Sequence, residues 1–388
     1  MISSTGTQIS YLAFPLLILA LTRSPAQAGF AGALRALPYL IFSLPAGALV
    51  DRWDRKRVMI ICDTGRALSL ASIPIALAIG HLTIIQLYLV SAIEGTLFVF
   101  FNIAEVACLP NVVAKEQLPA ATAQNQASDG VTALVGPSLG GALYSAGQFL
   151  PFLSDAISYA VSVFSLFFIK TKFQKERVAA SRKLWVEIRE GLAWLWHHPL
   201  IRFMAILTGG NNLISSGYAL IIIVLAQNLH ASPFTIGVIF ASGGIGAIFG
   251  AIIATSIQKR VSFAQGVIGT SWLFALSMPF YAIAPNPIVL GILTAFFFIS
   301  GPVYNVVQFS YRLALIPDEL QGRVNSVFRL IAFGSQPLGL ALTGLLIQYV
   351  GVIPTVLIGA AGMTLLAIAA TLNRHVRNAP PLSEVQTR

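Results

Sequence analysis

Long apolar runs dominate the chain, and short polar or Pro/Gly-containing breaks separate them. A transmembrane helix needs about 20 apolar residues, and runs of this length recur twelve times. The predicted spans are 3–22, 27–50, 58–80, 84–108, 121–147, 151–169, 202–227, 233–257, 262–284, 287–312, 323–349 and 353–373. Backbone groups in lipid must pair within a helix or a closed barrel, and these runs far exceed barrel strands of about ten residues. The pattern therefore predicts an all-α membrane protein.

Composition excludes several classes of protein. Of the 388 residues, 56% are hydrophobic and 10% charged, whereas a soluble domain carries roughly 25% charged residues. The net charge of +10 comes from basic residues that lie between apolar runs, which does not fit the basic face of a nucleic-acid-binding module. Phosphate-loop and His-Glu-x-x-His motifs are absent from the sequence. We expect no enzymatic activity, cofactor, metal site or nucleic-acid partner.

The distribution of lysine and arginine predicts the orientation. With both termini in the cytoplasm, 20 of the 24 basic residues fall in inner loops or the tail, and the outer loops hold only Arg23. Cytoplasmic loops are rich in basic residues. We therefore expect a multi-pass membrane protein with both termini in the cytoplasm. The first span begins at residue 3, which leaves open that this helix is truncated.

The longest polar stretch divides the spans six and six. We predict an N-terminal bundle over 1–169, a cytoplasmic linker with an interfacial helix over 170–200, a C-terminal bundle over 201–375 and a tail over 376–388. A solvated connector helix is the simpler alternative for the linker. Asn125 precedes Pro137 by twelve residues, and Asn325 precedes Pro337 by the same twelve. This repeat predicts two pseudo-symmetric six-helix bundles, an architecture common among transporters.

A pattern of one glycine, one aspartate and four basic residues marks the loop after the second predicted span. It comprises Gly47, Asp51, Arg52, Arg55, Lys56 and Arg57. This pattern resembles the signature between the second and third helices of the major facilitator superfamily. The resemblance implies that the loop controls the balance between inward-facing and outward-facing states, with Gly47 allowing close helix approach. The alternative is that the three basic residues from 55 to 57 only set topology.

The fifth predicted span carries a second motif, formed by Gly136, Pro137, Gly140 and Gly141. It resembles the antiporter motif of the same superfamily, in which small residues and a proline allow tight packing against a neighbouring helix. A packing role without any connection to antiport is an equal alternative.

Further segments resemble the bacterial macrolide-efflux and enterobactin-exporter-like group of drug:proton antiporters. They include Gln8–Ala13, Gly32–Pro38, Asp63–Arg66 and Pro317–Ser326. The resemblance implies a monomer of the bacterial inner membrane that exports a hydrophobic or amphiphilic small molecule by alternating access, driven by protons. A siderophore or metabolite exporter is one alternative. A membrane sensor that no longer transports is another. Thr7 stands where the group often has an acidic residue, and Ser91 stands where the fourth-span motif of the superfamily has an arginine.

Ionisable residues inside the membrane are costly and usually face a partner or a cavity. Arg35 and Glu94 lie about 12 and 15 Å below the outer ends of their spans, so we expect that they can meet and that Glu94 carries the coupling proton. A static ion pair is the alternative. Asp129 and Arg329 occupy equivalent positions in the two halves of the repeat. Their opposite charges predict an ion pair that acts as a gate between the bundles. The alternative is that each side chain only binds water or lipid headgroups. Asp155 lies near the start of its span, which favours an interfacial role.

Polar residues on several spans are candidates for contact with substrate. They are Gln8, Tyr11, Asn102, Asn211, Asn212, Tyr304, Asn305 and Gln308. In the resembling family these helices line the central cavity, and amide and aromatic groups suit an amphiphilic ligand. The alternative is that these side chains join helices to each other by hydrogen bonds.

Overall fold

The computed structural model describes residues 1–169, 173 and 184–380, and these residues are almost entirely helical. In these ranges the α-helices are α1 (Ile2–Thr22), α2 (Pro25–Val50), α3 (Arg55–Ala78), α4 (Ile84–Val112), α5 (Leu118–Ala146), α6 (Leu150–Phe168), α7 (Leu184–His197), α8 (Pro199–Ser215), α9 (Tyr218–Asn228), α10 (Pro233–Arg260), α11 (Phe263–Ser277), α12 (Pro287–Leu315), α13 (Gln321–Gly334), α14 (Gln336–Val350), α15 (Val352–Leu372) and α16 (Arg374–Arg377). Short 3-10 turns lie at Lys115–Gln117, Met278–Ile283 and Asp318–Leu320.

Ten stretches of described helix are long and apolar enough to cross a membrane. Helices α2 and α5, with 26 and 29 residues, also have the length of a span at about 1.5 Å per residue. Together they account for the twelve predicted spans and confirm the all-α membrane fold. Two spans predicted as single helices each consist of two, with breaks between α8 and α9 and between α13 and α14.

Polar side chains in the loops determine where several spans begin. Ser24, Thr83 and Asn286 each accept a hydrogen bond from the backbone N–H three residues later, at 3.3, 3.3 and 3.0 Å. Ser262 and Gln265 form a reciprocal capping box at the start of α11. The first N–H groups of a helix have no partner within it, so these side chains complete the hydrogen bonding of the helix starts.

The chain folds into two compact units. Unit 1 comprises Met1–Ser181 and Ala231–Ala241, and unit 2 comprises Arg182–His230 and Ser242–Arg388. The first turns of α10 thus group with unit 1, whereas the sequence placed them in the second bundle. Most of the predicted linker before α7, and the tail after residue 380, lie outside the described residues.

Helix α7 forms most of the described part of the predicted linker, and it packs within unit 2. Leu195 is buried in the hydrophobic core of this unit. An added Cβ on Gly191 would lie 2.6 Å from the carbonyl oxygen of Arg323, so α7 and α13 approach closely. Arg323 also forms an ion pair with Glu190, at 2.5 Å. One face of this amphipathic helix is therefore held by protein, and contact with the membrane surface stays a prediction.

Candidate functional site

The basic loop between α2 and α3 is bound to the end of α4. Asp54 caps α3 by accepting a hydrogen bond from the backbone N–H of Arg57 at 3.1 Å. The Arg55 side chain is only 7% exposed. It donates to the carbonyl oxygen of Ala107 at 2.6 Å and to Asp51 at 3.1 Å. A buried arginine thus joins the aspartate of the motif to the neighbouring helix.

Lys56 joins the same loop to the end of α6. Its ammonium group donates to the carbonyl oxygen of Ile169 at 2.7 Å, where the terminal carbonyls of a helix attract a cation. Arg52 and Arg57 are exposed. An added Cβ on Gly47 would meet no described atom within 4 Å, so the described residues show no close helix approach at this glycine, and its role stays a prediction. Arg55 and Lys56, rather than Gly47, hold the loop in unit 1.

The glycine motif of α5 allows close backbone approach on two sides. On one side, an added Cβ on Gly136 would overlap Gln8 of α1, and one on Gly140 would lie 2.8 Å from the carbonyl oxygen of Ile9. On the other, an added Cβ on Gly141 would overlap the carbonyl of Pro233 at the start of α10. The glycines of this motif therefore pack tightly against neighbouring helices, as the sequence analysis expected of small residues. The contact between Gly141 and Pro233 explains why the first turns of α10 belong to unit 1.

A cluster of buried charged side chains lies in the interior of unit 1. Arg66 of α3 has a side chain only 3% exposed, and its Nε donates to a carboxylate oxygen of Glu94 on α4 at 3.3 Å. Arg66 also lies 3.9 Å from Asp63, one turn earlier on the same helix. Ser69 donates to the other oxygen of Glu94 at 3.3 Å, and Ser162 of α6 donates to Asp63 at 2.6 Å.

Asp155 brings a third buried carboxylate to this region from α6. Ser10 of α1 donates to one of its oxygens at 2.5 Å, and Ser158 lies 3.2 Å from the other. Among the described residues, no cation lies within ion-pair distance of Asp155. An added Cβ on Gly6 would overlap both Asp155 and Ser158, so α1 needs a glycine here to pack against this carboxylate.

Hydroxyl groups connect the two parts of the cluster. The hydroxyls of Thr7 and Tyr159 lie 2.7 Å apart, and Arg66 donates to Thr7 at 3.5 Å. The guanidinium of Arg66 also lies over the Tyr159 ring, 4.1 Å from its centroid. Thr7 occupies the position where the resembling group usually has an acidic residue, and Glu94 and Asp155 supply carboxylates to the same cluster.

Glu94 lies inside unit 1 as expected, but its ionic partner differs from the predicted one. Arg66 takes the place that the sequence assigned to Arg35. The backbone of Arg35 packs directly against Gly95, and its side chain lies over the rings of Tyr11 and Phe14, 5.6 and 5.8 Å from their centroids. The pairing of Arg35 with Glu94 is therefore wrong, and proton coupling at Glu94 stays a prediction.

The surroundings of Asp155 also differ from what the sequence suggested. The sequence placed it at the membrane interface because it lies near the start of its span. The structure buries it completely, since the first turns of α6 pack against α1. A polar stripe on α6 could have indicated this face, because Asp155, Ser158, Tyr159 and Ser162 recur at helical spacing. Asp63 and Arg66 give the matching one-turn spacing on α3.

The predicted substrate-facing residues divide between buried and accessible positions. In unit 2, Tyr304 and Thr208 share a hydrogen bond of 2.7 Å, and Asn212 donates to the carbonyl oxygen of Ala332 at 2.7 Å. Tyr304 and Asn212 therefore join helices to each other by hydrogen bonds, which is the alternative to contact with substrate. Gln308 and Asn211 are also buried. The remaining candidates, which are exposed or half-buried, are Gln8, Tyr11, Asn102 and Asn305.

The residues of the predicted gate lie on different units. Asp129 is exposed on α5 in unit 1, and Arg329 is exposed on α13 in unit 2. Their role as a gate between bundles stays a prediction.

Comparison with known proteins identifies the family. A family model described as transmembrane secretion effector matches residues 1–385. The chain belongs to this family. It is a multi-pass membrane protein of the major facilitator superfamily, as the loop motif between α2 and α3 indicated.

Relatives of this protein include proteins whose names describe efflux. It is 25% identical to the multidrug efflux pump Tap of Mycolicibacterium fortuitum, over 97% of this chain and 94% of the relative. It is 24% identical to macrolide efflux protein A of Streptococcus pyogenes, over 92% of this chain and 89% of the relative. Both similarities extend over nearly the whole length of each protein.

Solved structures share the fold of this chain at low sequence identity. A bacterial homologue of the iron transporter ferroportin superposes with a TM-score of 0.75 at 16% identity, covering 96% of each chain. A bacterial homologue of the lysosomal transporter Spinster gives a TM-score of 0.72 at 12% identity, over 100% of this chain and 95% of the other. The two comparisons support the transporter fold and no particular substrate.

Proposed function

We propose that this protein is a secondary active transporter that exports hydrophobic or amphiphilic small molecules from the bacterial cytoplasm. Export proceeds by alternating access and is driven by protons. The efflux functions named for its relatives support the direction of transport. The distribution of basic residues supports an inner-membrane orientation with cytoplasmic termini.

The excess of buried carboxylates in unit 1 carries the proton-coupling part of the proposal. Asp63, Glu94 and Asp155 are each 0% exposed, and the cation that contacts this cluster, Arg66, is 2% exposed. If all four were ionised, this cluster would carry a net charge of −2. Each uncompensated buried charge costs several kcal/mol, and a buried group avoids that cost by becoming neutral. The cluster is therefore suited to bind protons.

Asp155 is the carboxylate that best fits the role of proton carrier. Glu94 and Asp63 share the positive charge of Arg66, whereas Asp155 contacts serine hydroxyls. A protonated Asp155 donates to Ser10, whose own hydroxyl hydrogen then has an acceptor in the carbonyl oxygen of Thr7 at 3.2 Å. Every donor in this arrangement has an acceptor. A neutral Asp155 therefore needs no cation.

Coupling follows if the proton and the substrate favour different conformations. A proton on Asp155 stabilises one facing state, and bound substrate stabilises the other. Moving such an equilibrium from one state to the other requires each ligand to discriminate between them by several kcal/mol. Release of the proton would leave a buried charge beside Glu94, and this cost favours a state in which the carboxylate is hydrated.

The test uses purified full-length protein in proteoliposomes. A panel of neutral, cationic and anionic fluorescent amphiphiles is offered while a pH gradient is imposed across the membrane. We expect the gradient to accelerate transport of at least one probe by the wild-type protein. Asp155→Asn should bind that probe but lose the acceleration. The control is Asp318→Asn, which changes an exposed carboxylate and should behave as wild type.

Two results would contradict the proposal. Failure to transport any probe would refute the export function. Equal acceleration in Asp155→Asn and wild type would remove Asp155 from proton coupling, and Glu94→Gln would then test the carboxylate that the sequence favoured.

A further inference from the structure

Unit 2 contains two buried polar side chains one turn apart on α12. Gln308 and Arg312 are 4% and 5% exposed, and residues four apart lie on the same face of a helix. Arg312 lies in the last turn of α12, which ends at Leu315. Neither side chain has a role in the coupling mechanism above.

Each of these two side chains has a buried donor nitrogen that lacks a hydrogen-bond partner. Nε of Arg312 and Nε2 of Gln308 are both buried without a hydrogen bond. Among the described residues of unit 2, Arg323 and Glu190 form an ion pair, and Arg312 is not part of it. The guanidinium instead lies over two aromatic rings, 3.8 Å from the centroid of Phe328 and 5.2 Å from that of Phe309.

The surroundings of Arg312 increase its need for an anion. Arg329 of α13 is close enough to repel it electrostatically. Tyr304, one turn before Gln308, already uses its hydroxyl in the hydrogen bond with Thr208. A buried cation without a counter-charge and a buried donor without an acceptor are both unfavourable. The carbonyls at a helix end favour a cation there, but they do not supply acceptors for Nε and Nε2.

The chemistry of the two side chains defines the ligand. A planar guanidinium binds carboxylate and phosphate oxygens through charge-assisted hydrogen bonds, and the amide of Gln308 adds a neutral donor. The rings of Phe309 and Phe328 offer apolar surface beside these donors. An anionic group attached to an apolar body fits both features.

We propose that Gln308 and Arg312 bind the acidic group, a carboxylate or a phosphate, of an anionic amphiphile. The assignment of that amphiphile as a transported compound rests on the proposed export function. A phospholipid with an anionic headgroup carries the same chemistry and is the other source.

A matched pair of probes tests the site without transport. The probes are 11-(dansylamino)undecanoic acid and its methyl ester, which differ in the negative charge. Binding is measured by fluorescence titration of the full chain in nanodiscs of phosphatidylcholine. We expect wild type to bind the acid at least about tenfold more tightly than the ester, as charge-assisted hydrogen bonds imply.

Three variants identify the residues responsible. Arg312→Met should bind acid and ester equally. Gln308→Glu should also lose the preference, because its own carboxylate then pairs with Arg312, and this variant should be more heat-stable than wild type. The control Arg260→Met removes an exposed arginine at the end of α10 and should keep the full preference. If Arg312→Met does not fold, the binding preference measured for Gln308→Glu alone decides whether these side chains bind the acid.

The lipid source is tested by repeating the titration in nanodiscs that contain phosphatidylglycerol. Weaker acid binding there, dependent on Arg312, assigns the site to a phospholipid headgroup, and unchanged binding assigns it to the soluble amphiphile. Equal binding of acid and ester by wild type, or a preference that survives in Gln308→Glu, would overturn the inference. If the acid binds through Arg312 while no probe is transported, the export function fails and the anion site stands.

Discussion

Replacing Arg66 by methionine tests the buried cluster of unit 1 most directly. Methionine keeps much of the apolar volume and removes the positive charge. The substitution leaves Glu94 and Asp63, both fully buried, without the cation that contacts them. We expect a large loss of stability that depends on the presence of Glu94.

The contact distances set the magnitude of the effect. At an effective dielectric constant of about 20, opposite charges attract by about 5 kcal/mol at the 3.3 Å between Arg66 and Glu94. At the 3.9 Å between Arg66 and Asp63, the attraction is about 4 kcal/mol. Desolvation offsets much of this attraction in the intact protein. Removing one partner of a buried pair still costs about 3–5 kcal/mol, because the other charge stays buried.

A double-mutant cycle isolates the interaction. The variants are Arg66→Met, Glu94→Gln and the combination of both, and their free energies of unfolding are measured by reversible SDS denaturation in mixed micelles. Arg66→Met alone should lose about 3–5 kcal/mol. Adding Glu94→Gln should restore part of that loss, with a coupling energy of at least about 1 kcal/mol.

The control is Arg57→Met, which removes an arginine whose side chain is 84% exposed and should change stability by less than about 0.5 kcal/mol. Effects of Arg66→Met and Glu94→Gln that add to within about 0.5 kcal/mol would refute the reasoning. Such additivity would mean that the two side chains do not interact in the membrane-embedded protein.

Four further variants test other parts of the structure by the same denaturation assay. Lys56→Met should lose about 0.3–2 kcal/mol, because it removes a cation from the end of α6, and Arg57→Met again provides the unchanged reference. Gly237→Val should lose about 1–3 kcal/mol by overpacking, because its Cβ would overlap a carbonyl of α5. Gly130→Ala, where an added Cβ meets nothing within 4 Å, should be neutral or stabilising. Asp155→Asn should stay within about 1 kcal/mol of wild type at neutral pH if the native carboxyl is uncharged, and a larger loss there would show that it is ionised.

The sequence predicted the spans and the basic loop because both depend on local pattern. Span length follows from bilayer thickness, and the contacts of Arg55 and Lys56 are made by residues at helix ends. The partner of Glu94 could not be predicted in this way. Depth along a span follows from residue spacing, but each residue turns the side-chain direction by about 100°. Arg35 has a suitable depth and faces α1, whereas Arg66 has the direction that reaches Glu94.

The breaks within two spans could not be predicted from the hydropathy pattern either. Hydropathy averages over a window, so a kink at Gly217 or Ser335 leaves the apolar run intact. Pro137 and Pro337 hold equivalent places in the repeat. Pro137 lies inside a continuous α5, and Pro337 lies in the first turn of α14 after a break. The two halves therefore share a sequence pattern without sharing local helix geometry at the proline.

The two units bury charge of opposite sign. Unit 1 holds three carboxylates around one arginine, and unit 2 holds an arginine to which no described acid is paired. A proton at Asp155 and an anion at Arg312 would therefore not compete for one group, and any coupling between them must act through the conformational equilibrium. Such coupling is reciprocal: if binding the dansylated acid changes proton affinity by some factor, protons must change the affinity for the acid by the same factor. Calorimetric titration of the acid in buffers of different ionisation enthalpy measures the protons exchanged. An acid affinity that does not change with pH and involves no proton exchange, or exchange that persists in Asp155→Asn, would contradict coupling between these two residues.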